Sequence, residues 1–224
     1  MKKFNKYFDH TLLKPEATAS DILKLVTEAV QYDVASVCVN GSHVRSARRF
    51  IDAIAADVKV AAVCGFPLGA MATNAKAYEV QLALEDGADE IDMVMNIGQA
   101  KAGNWAYVED EIYTIAEMCH EDGAIVKVIL ETCLLTKEEI IAACQSAMAA
   151  GADFVKTSTG FSTGGAKTED VTLMKQTVGD QLQVKASGGI RTLEDAKAMI
   201  EAGADRLGCS ASIEIIKSYE NTEG

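Results

Sequence analysis

Short apolar runs alternate with stretches of helical periodicity from one end of the chain to the other. The first run, Phe8-Asp9-His10-Thr11-Leu12-Leu13, reads as a strand, and Thr18-Ala19-Ser20-Asp21 behind it has the composition of a helix start. Ile22, Leu25, Val26, Ala29 and Val30 then fall on one face at the spacing of a half-buried helix. The pair recurs. Strands are expected at 35–40, 59–66, 90–96 and 124–131, around Lys156 and Lys185, and at 206–209. Val44, Ala47, Ile51 and Ile54 stripe a helix beginning near Ser42, and another helix is expected over 73–86. Trp105, Val108, Ile112, Ile115 and Cys119 mark a further one, and Thr136-Lys137-Glu138-Glu139 opens the next with a capping-box pattern. A helix over 168–178 separates the two lysine strands, and a last one runs through Ile213 and Ile216.

Eight strand–helix units in 224 residues come to about 28 residues each, a compact spacing for a (β/α)8 barrel. Gly87-Ala88-Asp89, Gly151-Ala152-Asp153 and Gly203-Ala204-Asp205 each close a helix and launch a strand, with glycine where a helix stop favours it. The strands are continuous apolar runs, as parallel strands covered on both faces must be. A doubly wound open sheet is the alternative, but it brings a glycine-rich turn after the first strand, and residues 9–15 contain no glycine. The expectation is an α/β protein: one (β/α)8 TIM barrel, a single domain over residues 1–224.

A net charge of −12 with no basic stripe argues against a partner that is nucleic acid or a membrane surface, and leaves room for a small anion at a local site. The first residues carry charge without an apolar segment behind them, and no run reaches transmembrane length, so a cytoplasmic location is expected. Six cysteines form no C-x-x-C pair and the three histidines never stand three or four apart, so no metal site is expected. Most of the cysteines read as buried small hydrophobes, with Cys38, near a strand end, as the expected exception.

Candidate chemistry lies where polar residues interrupt these apolar runs. Val155-Lys156-Thr157-Ser158-Thr159-Gly160 and Val184-Lys185-Ala186-Ser187-Gly188-Gly189 are near-copies 29 residues apart. Each puts an ammonium where a β-branched core residue is expected, and two neighbouring ammoniums each lower the other's pKa. Asp92, enclosed in Glu90-Ile91-Asp92-Met93-Val94, needs a cationic partner, and the two lysines are the candidates. A buried Asp–Lys bridge that only holds the barrel together is the plainer reading. Two lysines against one carboxylate do not cancel, which favours function. Asp9, Thr11, Lys127 and Glu131 also stand toward the C-terminal ends of strands, where barrel enzymes carry their sites. Ser187-Gly188-Gly189-Ile190-Arg191 and Gly208-Cys209-Ser210 end the seventh and eighth strands, the loops that commonly hold a phosphate. Arg191 either touches that phosphate or is a surface residue at a helix start. An amine attacks a carbonyl only when free, and lowering a lysine pKa from about 10.4 by about three costs roughly 4 kcal/mol. Burial and a second lysine can supply it, so Schiff-base chemistry on a sugar phosphate is expected.

The chain resembles the deoxyribose-phosphate aldolase family, of the shorter bacterial type, over nearly its whole length. The resemblance rests on Asp9-His10-Thr11-Leu12-Leu13-Lys14-Pro15, Gly65-Phe66-Pro67-Leu68-Gly69, Glu90-Ile91-Asp92-Met93-Val94, Val155-Lys156-Thr157-Ser158-Thr159-Gly160-Phe161 and Lys185-Ala186-Ser187-Gly188-Gly189-Ile190-Arg191-Thr192. It implies a class I aldolase without metal or cofactor that cleaves 2-deoxy-D-ribose 5-phosphate to glyceraldehyde 3-phosphate and acetaldehyde, and a homodimer. By the same matching, Lys156 is the Schiff-base lysine, Lys185 lowers its pKa and relays protons, and Asp92 is the proton donor and acceptor. Gly160, Ser187, Gly188, Gly189, Gly208 and Ser210 are the expected phosphate-binding residues. Asp9, Thr11, Cys38, Lys127 and Arg191 are further candidates, and Tyr219, in the polar tail, is a candidate proton donor. Gly41 stands where the family usually has proline, and Gly208-Cys209-Ser210-Ala211-Ser212 departs from the usual phosphate motif. Two rival readings remain at this stage: an isomerase or epimerase acting on a sugar phosphate without a covalent step, and a non-catalytic sugar-phosphate binding barrel.

Overall fold

In the computed structural model, which describes residues 2–223, eight parallel strands pair in sequence order and close into a barrel. They are β1 (Phe8–Leu12), β2 (Ser36–Val39), β3 (Lys59–Cys64), β4 (Glu90–Val94), β5 (Ile125–Ile129), β6 (Phe154–Lys156), β7 (Gln183–Ser187) and β8 (Arg206–Cys209). Closure is direct: β1 pairs with β2 through Asp9 and Ser36 and with β8 through Asp9 and Gly208, so the open-sheet alternative falls. The helices are α1 (Ala19–Gln31), α2 (Val44–Ala53), α3 (Thr73–Glu85), α4 (Ile97–Lys101), α5 (Trp105–Glu121), α6 (Lys137–Ala149), α7 (Thr168–Val178), α8 (Leu193–Glu201) and α9 (Ser212–Glu223). The sequence pattern missed α4, whose single turn is too short for periodicity and is held by the Asn96 side chain accepting the Gln99 N–H at 3.1 Å. The helix expected from Ser42 starts at Val44, after a 3-10 turn over Gly41–His43.

The three Gly-Ala-Asp triplets work as one device. Gly87, Gly151 and Gly203 have φ of 94°, 75° and 109°, which ends each helix in a conformation that side chains resist. The alanine is buried against the core. The aspartate then accepts a backbone N–H from the preceding strand: Val60 to Asp89 at 2.7 Å, Val126 to Asp153 at 2.9 Å, Val184 to Asp205 at 2.9 Å. These carboxylates satisfy donors at the N-terminal rim that would otherwise go unpaired. Capping boxes at Thr18–Asp21, Thr136–Glu139 and Thr192–Asp195 start α1, α6 and α8 at fixed points.

Outward-facing strand residues such as Val37, Ile91, Val126, Val155, Val184 and Leu207 pack with the helix stripes in one continuous apolar shell. The inward set is of a different kind. Alternation along each strand and the paired registers place it in layers of four from alternate strands, as in other barrels of this type. Ser36, Glu90, Phe154 and Arg206 form the lowest layer. Asp9, Ala61, Lys127 and Lys185 form the middle one. Cys38, Asp92, Lys156 and Gly208 form the layer above it. Seven of these twelve positions are charged, and the side formed by β2 and β3 holds the separate apolar cluster of Cys38, Ala61 and Val63, with Leu13 and Phe66 against it.

Candidate active site

Burial sets the terms for the charged half of the barrel. Asp9, Asp92, Lys127 and Lys185 are wholly inaccessible and Lys156 is 3% exposed, so each charge must find a partner within the protein. Asp92 on β4 is the hub. Its Oδ2 accepts from Lys156 and from Lys185, each at 2.7 Å, and its Oδ1 accepts from Lys127 at 2.7 Å. Lys185 also meets Asp9 at 2.5 Å, and Lys127 meets Glu90 at 2.6 Å. Below them Arg206 joins Asp9 at 2.6 Å and Glu90 at 3.4 Å, with the Phe154 ring 5.6 Å beneath its guanidinium. The expected pairing of Asp92 with Lys156 and Lys185 is therefore present, and Lys127 makes a third contact.

Counting charges across this lattice separates the lysines. Lys127, Lys156, Lys185 and Arg206 stand against Asp9, Glu90 and Asp92: four potential cations for three carboxylates. The site is neutral only when one lysine is a free amine. Burial pushes the Lys156 pKa below its ordinary value, against the pull of Asp92 and with the help of Lys185. Burial opposes the charge on Lys185 too, but Asp9 and Asp92 outweigh it and hold that ammonium well above the ordinary range. Lys127 is likewise raised, with Asp92 and Glu90 outweighing its burial. Asp92 lies far below the usual carboxylate range because Lys127, Lys156 and Lys185 together overcome its burial. Asp9 is lowered in the same way by Arg206, Lys185 and Lys127. The two lysines of the near-identical motifs thus do not depress each other equally. Lys156 alone moves toward the free amine.

The mouth above Lys156 opens into a cleft of about 260 Å³, bordered by Thr11, Lys14, Thr159, Gly160, Arg191 and Ser210 among others. Gly160, Gly188 and Gly189 have φ of 85°, 84° and 83°, and a Cβ on Gly188 would stand 3.1 Å from Gly165 Cα and 3.4 Å from Gly160 Cα. The loops after β6 and β7 therefore meet backbone to backbone, which leaves peptide groups to face an anion. Ser187 borders the cleft, but its hydroxyl donates to the Ser158 carbonyl at 2.5 Å and ties the two loops together. The Thr11 hydroxyl donates to the Asp9 carbonyl at 2.8 Å, and the Arg191 backbone N–H donates to Asp195 at the start of α8.

Two expectations change. Gly208 was expected only as part of a phosphate loop, yet a Cβ there would lie 2.9 Å from Lys185 Cε, so it is the vacant fourth position of the upper layer that makes room for that side chain. Cys38 was expected to be the exception among buried thiols. It is fully buried facing the lattice, where burial raises its pKa, whereas Cys133 is the cysteine that is partly exposed. Tyr219 was a candidate proton donor from the tail, with a bystander as the plainer reading. It stacks on Phe4 with centroids 4.1 Å apart, beside the segment that precedes β1, at the barrel's other end. Sequence reasoning missed Glu90 and Arg206. Glu90 shares its strand parity with Asp92 and Arg206 pairs in register with Lys185, so period two marked both as inward-facing.

The model of the DeoC/LacD family of aldolases matches residues 4–217. The deoxyribose-phosphate aldolase of Thermococcus gammatolerans is 57% identical over 218 residues, covering 97% of each chain. That of Clostridium botulinum strain Okra is 58% identical over 215 residues, 96% of this chain and 100% of the relative. A solved deoxyribose phosphate aldolase from Aeropyrum pernix, described as a unique tetramer, superposes with a TM-score of 0.90 at 34% identity, covering 98% of this chain and 92% of that one.

Proposed function

From the premise that the chain belongs to the DeoC/LacD family of aldolases, we propose that it cleaves 2-deoxy-D-ribose 5-phosphate, reversibly, to glyceraldehyde 3-phosphate and acetaldehyde, with Lys156 as the Schiff-base nucleophile. The observation that carries the assignment of Lys156 is its place: it is the lysine of the lattice that borders the open cleft. The charge count leaves one lysine as a free amine, and burial lowers the pKa of Lys156 while Lys127 and Lys185 are held above theirs. Membership of an aldolase family disfavours both the isomerase or epimerase reading and the non-catalytic one.

The free Lys156 amine adds to C1 of the open-chain aldehyde, and loss of water gives an iminium. The Asp92–Lys185 pair, joined through Oδ2, takes the proton of the C3 hydroxyl through an intervening water. As C3 becomes a carbonyl, the C2–C3 bond breaks and its electron pair moves into the C1–N system, giving an enamine. Glyceraldehyde 3-phosphate leaves. The enamine takes a proton at C2, and water hydrolyses the resulting iminium to acetaldehyde and the free amine. Lys185 and Lys127 remain charged throughout, which keeps Asp92 ionised before it takes the proton and returns it to the carboxylate once the proton is given up. The phosphate is held by the peptide groups of Gly160, Gly188 and Gly189 and by the Ser210 region at the start of α9, with Arg191 at the edge of the cleft.

The test is reduction with borohydride in the presence of acetaldehyde. A stable mass increase on Lys156 is expected, and no adduct on any lysine would sink the proposal.

Exposed Tyr78 and Leu82, one turn apart on α3, offer an apolar face for the homodimer that the reading includes. Sedimentation equilibrium should give twice the monomer mass, and the four-chain mass described for the Aeropyrum protein would replace that expectation. No helix among the described residues is long and apolar enough to cross a membrane. The six free cysteines suit the reducing compartment of the cytoplasmic location in our reading.

A further inference from the structure

Glu131 follows β5 in the left-handed region, at φ 59° and ψ 62°. Residues with a side chain seldom adopt that conformation, and among the described residues those that do are Asp33, Ala55 and Glu131. Glycine would adopt it freely, so a glutamate at this position points to its carboxylate. That carboxylate is buried, the residue being 1% exposed, and it grips the loop after β6. The Thr159 hydroxyl donates to Oε2, and the Thr159 backbone N–H lies 3.3 Å from the same oxygen. The Cys133 thiol donates to Oε1 at 3.8 Å. Thr159 Oγ1 in turn accepts the Phe161 N–H at 3.1 Å, so the Glu131 contact sets the peptides on both sides of Gly160. The two loops are tied by Ser187 to Ser158 and by the Ala166 N–H to the Ser187 and Gly188 carbonyls. None of these bonds holds Thr159 or Gly160, and Glu131 holds that stretch from the other side.

We propose that Glu131 is a positioning residue for the phosphate end of the cleft, seating Thr159 so that the Gly160 and Gly188 peptides converge on one anion. The proposal rests on the aldolase reading for the identity of the substrate, but not for the anion site itself. Lys156 sits at the root of the same loop and is fixed separately by Asp92 and by the β6 ladder, so the amine keeps its place when Thr159 shifts. Loss of the Glu131 contact should therefore weaken phosphate binding and spare the phosphate-free half of the chemistry.

Glu131→Gln and Glu131→Gly test this together. Glu131→Gln keeps the shape and loses the charge, while Glu131→Gly loses the carboxylate and relaxes the backbone. KM for 2-deoxyribose 5-phosphate is expected to rise roughly tenfold or more in both, the size of a lost charge-assisted hydrogen bond, with kcat changed less. The calorimetric dissociation constant for inorganic phosphate should rise in parallel. Borohydride trapping of acetaldehyde at Lys156 should keep its wild-type rate, and Glu131→Gly should melt no lower than wild type. Unchanged phosphate affinity in both variants overturns the proposal, as does a trapping rate that falls in step with phosphate affinity, because that marks a general structural role. If the wild-type protein cleaves no deoxyribose phosphate, the substrate reading fails, and the inorganic-phosphate arm still decides the role of Glu131.

Discussion

Lys156→Ala is expected to lower turnover of 2-deoxyribose 5-phosphate by at least about 10⁴-fold and to abolish the borohydride adduct, while the melting temperature stays within a few degrees of wild type. Such a combination is unusual for truncating a buried lysine. Removing one partner of a buried ion pair ordinarily leaves an uncompensated charge and costs about 3–5 kcal/mol. Here the residual lattice is balanced, because Lys127, Lys185 and Arg206 remain against Asp9, Glu90 and Asp92. A lysine that served only to neutralise Asp92 would give the opposite result, large instability and no specific chemical loss. Activity above about 1% of wild type, or an adduct that moves to Lys185, would remove Lys156 from the mechanism. The same charge logic fixes the direction of the pH profile. Only the free amine attacks, so kcat/KM falls as pH drops through the Lys156 pKa. Burial and Lys185 lower that pKa, so the acid limb should lie below the ordinary lysine range.

The barrel was legible because its parts repeat. Covered parallel strands leave continuous apolar runs, and the Gly-Ala-Asp triplets mark three of the helix-to-strand turns with the same chemistry at the N-terminal rim. Lys156, Lys185 and Asp92 were legible for the complementary reason that a charge inside such a run has no solvent to face. What stayed hidden depends on closure. That Arg206 on β8 reaches Glu90 on β4 across the interior is a property of the ring, and no local window contains it. Gly208 looked like any loop glycine, since its role as the empty place beside Lys185 needs the layer arrangement. Tyr219 stayed open because a tail residue has no strand register to tie it down; α9 carries it toward Phe4. Glu131 was visible as a polar strand end, but its left-handed backbone gives no sequence signal, because that conformation is ordinarily announced by glycine or asparagine.

Asp92→Asn should produce the other large effect, and in two separable parts. Turnover is expected to fall about 10²–10⁴-fold, the range for losing a positioned acid–base group. Stability at neutral pH is expected to fall by about 3–5 kcal/mol, because Lys127 and Lys185 lose the carboxylate they share. The pH dependence of that loss has a definite sign. The folded pKa of Asp92 lies far below its unfolded value of about 3.9, so its stabilisation is fully present above that value and disappears as pH falls through the folded pKa. Wild type and Asp92→Asn should therefore differ most near neutrality and converge in acid. Nucleophilicity should move the other way. Asp92 raises the Lys156 pKa, so its removal leaves more free amine, and acetaldehyde trapping should persist in a variant that no longer cleaves substrate. The double variant Asp92→Asn/Lys127→Met separates chemistry from folding. It leaves Lys185 and Arg206 against Asp9 and Glu90, a balanced pair of charges on each side when Lys156 is neutral. Its melting temperature should recover toward wild type while its turnover does not. If turnover returned along with stability, Asp92 would be a structural counter-ion rather than the proton carrier, and the adduct-without-cleavage phenotype of the single variant would have to come from a distorted barrel.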